Sequence, residues 1–142
     1  MLLLDVTPLD LGIATQGDSF TTIIPRNSRV PVKKSHIFTT VQDNQTSVKL
    51  QVYQGDNDRA SANEFLGEFL LTGIRPATRA VPRIEVLFSI SSDGMVAVSA
   101  KDLDTGTTQK IEVSSSNQLS DQEISDLSER TKSQALEWVR EA

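Results

Sequence analysis

From Arg83 to Ala100 the side chains change character at every step, with an Asp-Gly pair in the middle. Ile84, Val86, Phe88 and Ile90 alternate with Arg83, Glu85, Leu87 and Ser89. Asp93-Gly94 follows, and Val96, Val98 and Ala100 run back. A period of two marks a strand with one face toward a core. Glycine accepts the positive φ that a tight hairpin turn demands. This stretch therefore reads as an antiparallel hairpin, and it commits the chain to a sheet.

The rest is punctuated in the same way. An apolar stretch over 2–14 is broken by Pro8 and Gly12, and Gly17-Asp18 reads as a turn. Thr21 to Ile24 is rich in β-branched residues and stops at Pro25, and Pro31 opens a run through Val41 that ends at Asp43-Asn44. Val48, Leu50 and Val52 alternate with Lys49, Gln51 and Tyr53. Leu66, Phe69 and Leu71 form a fifth run, closed by Gly73. Arg75 to Pro82 reads as a loop, and Gln109 to Ser114 as a last strand after a turn at Asp104-Thr105-Gly106. About eight short strands at regular spacing indicate a sandwich. No segment between them is long enough for a crossover helix, so the sheets are expected to be antiparallel.

The pattern changes after residue 115. Ser115-Ser116-Asn117 is a polar hinge, and Ser120-Asp121-Gln122-Glu123 matches a capping box, which opens a helix. Ile124, Leu127, Leu136 and Val139 form a sparse stripe with Trp138 near it, and the chain stops inside this pattern without a C-cap. The fold class expected is thus mainly β: an antiparallel β-sandwich of about eight strands followed by a C-terminal α-helix that reads as truncated.

At 142 residues the chain is one domain, or one domain with an appendage, and about 70% of the unfolded surface is buried at such a length. A net charge of −5 argues against a nucleic-acid surface, which needs a dense positive field. The apolar start is too short to span a membrane and lacks the basic flank and cleavage site of a signal peptide. It reads as a linker, a first strand, or both. With no cysteine and one histidine, thiol nucleophiles, thiolate zinc sites and most histidine metal sites are excluded.

No catalytic constellation stands out. His36 lies in the strand-like KKSHIFTT and reads as a plain strand histidine. Asp56, Asn57 and Asp58 lack the glycine and terminal glutamate of a calcium loop, so a solvated loop fits better. Lys33, Lys34, Arg26 and Arg29 are too few for a nucleic-acid footprint and suit edge strands, where charge discourages aggregation. What remains is binding. A sandwich can capture an extended peptide by backbone hydrogen bonds and a side-chain pocket, serve as a docking or structural domain, or bind carbohydrate. Seven aromatic residues, most at core-like positions, argue against the last.

Several motifs go further. LLLDVTPLDLGIAT at 2–15, IPRNSRVPVKKSHIFTT at 24–40, VYQGDNDRASANEFLGEFLLTGI at 52–74 and PRIEVLFSISSDGMVAVSAKD at 82–102 resemble, in order and without an evident gap, segments of the seventy-kilodalton heat-shock chaperones of the DnaK type. LSDQEI at 119–124 is similar to the start of their helical lid. The resemblance covers essentially the whole chain. It implies an interdomain linker remnant at 1–6, a β-sandwich peptide-binding subdomain at 5–116 and the start of a truncated lid at 117–142. The implied function is a chaperone module that clamps short, extended, apolar stretches of unfolded polypeptide. It is not itself an enzyme and holds no cofactor. ATP and magnesium would belong to a preceding ATPase domain, and a J-domain co-chaperone and a nucleotide exchange factor would act on the full-length, cytoplasmic protein.

Carried over by position, the resemblance implies a central pocket lined by Ile13, Thr15, Ser19, Phe38, Val48 and Leu50. Gln16 and Val41 would form an arch over the peptide, and Thr39, Val41 and Gln45 would offer hydrogen bonds to its main chain. Leu2, Leu3, Leu4 and Asp5 match the interdomain linker, Arg26 an ATPase-domain contact, and Arg79 a lid latch whose acidic partner would lie beyond residue 142. The family usually has an apolar residue at Ser19, an apolar arch residue at Gln16 in bacterial members, often alanine at Val41, aspartate at Ala62 and a proline-rich pattern in place of RPATRA at 75–80. These departures imply an altered peptide preference. An exposed groove without its lid also implies self-association, a chain terminus entering a neighbour's groove.

Overall fold

The computed structural model describes residues 6–114 and 138–142. Nine strands follow one another: β1 (Asp10–Thr15), β2 (Ser19–Ile24), β3 (Val32–Thr40), β4 (Val48–Gly55), β5 (Glu64–Leu71), β6 (Ile84–Ile90), β7 (Met95–Asp102), β8 (Thr108–Ser114) and β9 (Val139–Glu141). One sheet has the order β2-β1-β4-β5 and the other β8-β7-β6-β3-β9, and every pairing is antiparallel. The first eight strands stand where the sequence pattern puts them.

The alternation explains the core. Ile84, Val86, Phe88 and Ile90 of β6 are buried, while the residues between them are only half-buried. Across the Asp93-Gly94 turn, Phe88 pairs with Val98 and Ile90 with Val96, and Gly94 has φ 87°. Leu11, Ile13, Ile24, Val48, Leu50, Val52, Leu66 and Leu71 face them from the other sheet in one hydrophobic cluster. Burying each such side chain stabilises the fold by about 1.5–3 kcal/mol. In β4 the opposite face is also covered, because Lys49 and Gln51 are buried beside Val48, Leu50 and Val52.

One glycine is demanded by close approach. The ladder between β1 and β2 shifts at Leu11/Gly12, and a Cβ on Gly12 would lie 2.0 Å from the carbonyl oxygen of Thr21. Backbone cannot yield as a side chain does.

The expected C-terminal helix falls largely on residues 115–137, outside the described residues. Where the chain is described again, the expectation is corrected. Val139, taken with Trp138 as part of the helical stripe, lies in β9, paired to β3. Three residues carry too little helical preference to resist an open sheet edge that offers hydrogen bonds at once.

Two outcomes follow from the packing. Gly12→Ala is expected to lower stability in urea unfolding by about 1–3 kcal/mol, the usual range for forcing an atom into a filled site; an unchanged midpoint would mean that β1 and β2 separate to admit the methyl group at no cost. Tyr53 is the sole tyrosine and meets Phe65 edge-on at 5.3 Å. Burial first, then the carboxylates of Asp18 and Glu68, push its phenol up to about 12 from 10.0. Its contribution to stability is therefore full below pH 10 and is lost as pH rises through about 12, because the unfolded chain ionises first. Absorbance at 295 nm should show one transition near pH 12 in the folded domain, falling toward 10 in denaturant.

Candidate functional site

Two loops meet the strand along the outer edge of β3: the turn joining β1 to β2, through Gln16, and the loop joining β3 to β4, through Gln45. The first is held by its own polar contacts. Asp18, at φ 60°, accepts from the backbone N–H and hydroxyl of Ser61 at 3.0 and 2.6 Å and faces Arg59 Nε at 3.4 Å. Burial alone would raise the Asp18 carboxyl, but the Ser61 hydrogen bonds and Arg59 outweigh it and hold the group below its ordinary value. Ala60 N–H donates to the Asp18 carbonyl and Phe20 N–H to that of Asp58, so this turn is clipped to the 55–63 loop. The second loop is clipped to 75–82: Asn44 N–H donates to Ala77 O, and Arg79 N–H to Asp43 Oδ1 at 3.0 Å.

Into the space between the loops runs the chain's own C-terminal segment. Phe38 pairs with Glu141, Thr39 with Arg140 and Thr40 with Val139. Ala142 N–H donates to Ile37 O at 3.1 Å, and Gln16 N–H reaches across from the first loop to Val139 O at 2.9 Å. The segment is therefore gripped along its main chain from both sides. Val139 is wholly buried and joins the cluster that contains Ile13, Phe38, Val48 and Leu50.

Gln45 organises the second wall. Its side-chain oxygen accepts from Val41 N–H at 2.9 Å and Gln42 N–H at 3.1 Å, and its Nε2 donates to Ser47 O at 2.8 Å and Trp138 O at 2.9 Å. One amide thus shapes its loop and holds the incoming strand. Trp138 lies with its ring centroid 4.9 Å from Lys49 Nζ, and Glu141 Oε1 lies 2.8 Å from His36 Nε2.

The sequence-derived residues fall into groups. Ile13, Phe38, Val48 and Leu50 are fully buried together, and Thr15 is buried with its hydroxyl donating to Ser19 O. Ser19 stands apart: it is exposed at the start of β2, paired with Thr15 and bridged to Arg59. Gln16 donates its backbone N–H to the segment, as does the Gln45 side chain. The N–H of Val41 is taken by Gln45, and the Thr39 hydroxyl by Pro82 O at 2.5 Å, while the backbone of Thr39 pairs with Arg140. Arg26 is away from the groove, 3.9 Å from Asp56, and its N–H donates to Asp10 Oδ1. Arg79 is exposed at the rim. Leu2, Leu3, Leu4 and Asp5 lie outside the described residues. Lys49, Trp138, His36 and Glu141 escaped the sequence reading as a group, since nothing local links residues this far apart.

In the structure the site holds the backbone of 138–142 and the side chain of Val139. Among the described residues no group of three or more histidine, aspartate or glutamate side chains could hold a metal, and no helix is long and apolar enough to cross a membrane. Gln45→Leu takes the acceptor from the buried Val41 N–H and the side-chain donor from Trp138 O, so it should cost about 1–3 kcal/mol in urea unfolding. It should also release Trp138, the sole tryptophan, with a red shift of its emission. Unchanged emission and stability would show that Gln45 does not hold the segment.

Comparison with known proteins places the chain in a family. The model of the family described as Hsp70 protein matches residues 1–140. The chain is 54% identical over 132 residues to the chaperone protein DnaK of Thermosipho africanus and, equally, to that of Thermotoga maritima, covering 93% of this chain and 22% of each relative. It thus spans about a fifth of the length of these curated relatives. With a family match running almost end to end, this chain belongs to the Hsp70 protein family.

Proposed function

We propose that this chain is the substrate-binding domain of a DnaK-type chaperone and that the groove along β3 binds extended apolar segments of unfolded polypeptides. One observation carries the reading. An extended segment lies in the groove as an added strand, hydrogen-bonded by Gln16, Gln45 and Ile37, with Val139 wholly buried. Strand addition of this kind draws affinity from the backbone and selectivity from pockets. Burying one valine contributes about 1.5–3 kcal/mol, while micromolar binding needs about 8. Main-chain hydrogen bonds and flanking contacts must supply the rest, which leaves a grip of broad specificity suited to unfolded clients.

The remaining parts of this reading follow the family. The domain has no catalytic role of its own. Leu2, Leu3, Leu4 and Asp5 would link it to an ATPase domain that uses ATP and magnesium, with Arg26 at the contact. A helical lid latched at Arg79, a J-domain co-chaperone and a nucleotide exchange factor would set the timing of release in the cytoplasm.

The test is fluorescence anisotropy of a labelled leucine-rich heptapeptide. The terminal segment competes in cis at an effective concentration in the millimolar range, so Val139→Asp, which puts a charge in the pocket, should tighten peptide binding by at least about tenfold. Val48→Phe should abolish binding in both backgrounds by filling the pocket. A folded Val139→Asp protein that binds no apolar peptide would leave the sandwich as a docking or structural domain. A concentration-dependent mass for the unaltered chain would mean that the segment also exchanges into a neighbour's groove.

A further inference from the structure

The segment in the groove serves as a bound ligand, and its side chains show what the groove recognises beyond one apolar residue. Resting on the peptide-binding reading, we infer that the groove selects extended segments with an aromatic residue immediately before, and a carboxylate two residues after, a small apolar residue, with Lys49 and His36 as the specificity-determining side chains.

Val139 defines the centre. It pairs with Thr40, is wholly buried and is branched at Cβ, a shape that keeps strand geometry at little entropic cost. The residue before it is fixed by its own carbonyl, because Gln45 Nε2 donates to Trp138 O at 2.9 Å. With that carbonyl held, the indole lies 4.9 Å from the ammonium of Lys49. Lys49 is fully buried on β4, where the attraction between a cation and an aromatic face is stronger than at an exposed site. A leucine at this position fills space without the quadrupole that the ammonium meets.

The residue after the centre, Arg140, is exposed, so that position is free in composition. The next, Glu141, pairs with Phe38 and shares its face of the sheet, and His36 sits diagonally on the same face, two residues along β3. Their side chains meet at 2.8 Å between His36 Nε2 and Glu141 Oε1. With its proton on Nε2 the imidazole donates to a carboxylate there, whereas a lysine or arginine side chain would bring a second donor against that N–H. Lys34, exposed on the same face of β3, adds repulsion toward a basic residue. Both groups are partly exposed, so this preference is the weaker of the two.

The test uses the full chain carrying Val139→Asp and a labelled peptide Gly-Trp-Val-Arg-Glu-Ala-Gly with two single changes. Replacing its Trp by Leu should weaken binding by about tenfold, and replacing its Glu by Lys by about threefold. The first difference should vanish on a Lys49→Met background and the second on His36→Gln, since a double-mutant cycle isolates the pair. A second measurement needs no Val139 substitution. In the otherwise unaltered chain, His36→Gln should loosen the internal segment and so raise affinity for a leucine-rich peptide by about threefold. Equal binding of all three peptides, with saturable affinity, would overturn the selectivity and leave peptide binding standing. Absence of binding by any peptide would remove the reading beneath it.

Discussion

The edge of β3 opposite β6 is the constraint on which this molecule turns. A sheet edge presents unpaired N–H and C=O groups that must meet water or another strand. Here one side of β3 is paired with β6, along Val32 to Phe38, and the other, along Phe38 to Thr40, with β9. The slot that β9 occupies admits a single extended chain. Gln16 N–H and Ile37 O meet the segment from the backbone, and Gln45 Nε2 from a side chain.

Side chains then decide how the slot is shaped and what fits best. Gln45 holds Val41 and Gln42 with one end of its amide and Trp138 with the other, so loop shape and ligand grip are the same interaction. Asp18, Arg59 and Ser61 do the corresponding work at the opposite wall, where Gln16 presents its N–H. Behind the slot, Phe38, Val48 and Leu50 belong at once to the sandwich core and to the surroundings of Val139. The same side chains therefore fill the core and surround Val139.

How far this was legible varies with the range of the interaction. Ile84 to Ala100 declared itself through period two and an Asp-Gly turn, both local properties, and the eight strands so read are present. Ile13, Phe38, Val48 and Leu50 were reachable through family resemblance, and they do come together. Ser19 was reachable in the same way and stands exposed. Lys49 read as a routine polar partner in an alternating strand, yet it is wholly buried with an indole against it. His36 read as a plain strand histidine, and its carboxylate partner is 105 residues away in the chain. No pattern within a strand carries that information.

Residues 138–142 show the division most sharply. Trp-Val-Arg-Glu-Ala is too short to have a readable period, and next to a capping box and a sparse apolar stripe it read as more helix. It is a strand because an edge with empty hydrogen-bond positions and a buried apolar site was within reach, and long-range pairing outweighs weak local preference. By itself, then, the sequence determined the sandwich, its turns and its core faces, since those follow from alternation and backbone conformation within a few residues. Only the tertiary structure decided which edge is open, what lies along it and which charges flank it, because those depend on residues brought together by folding.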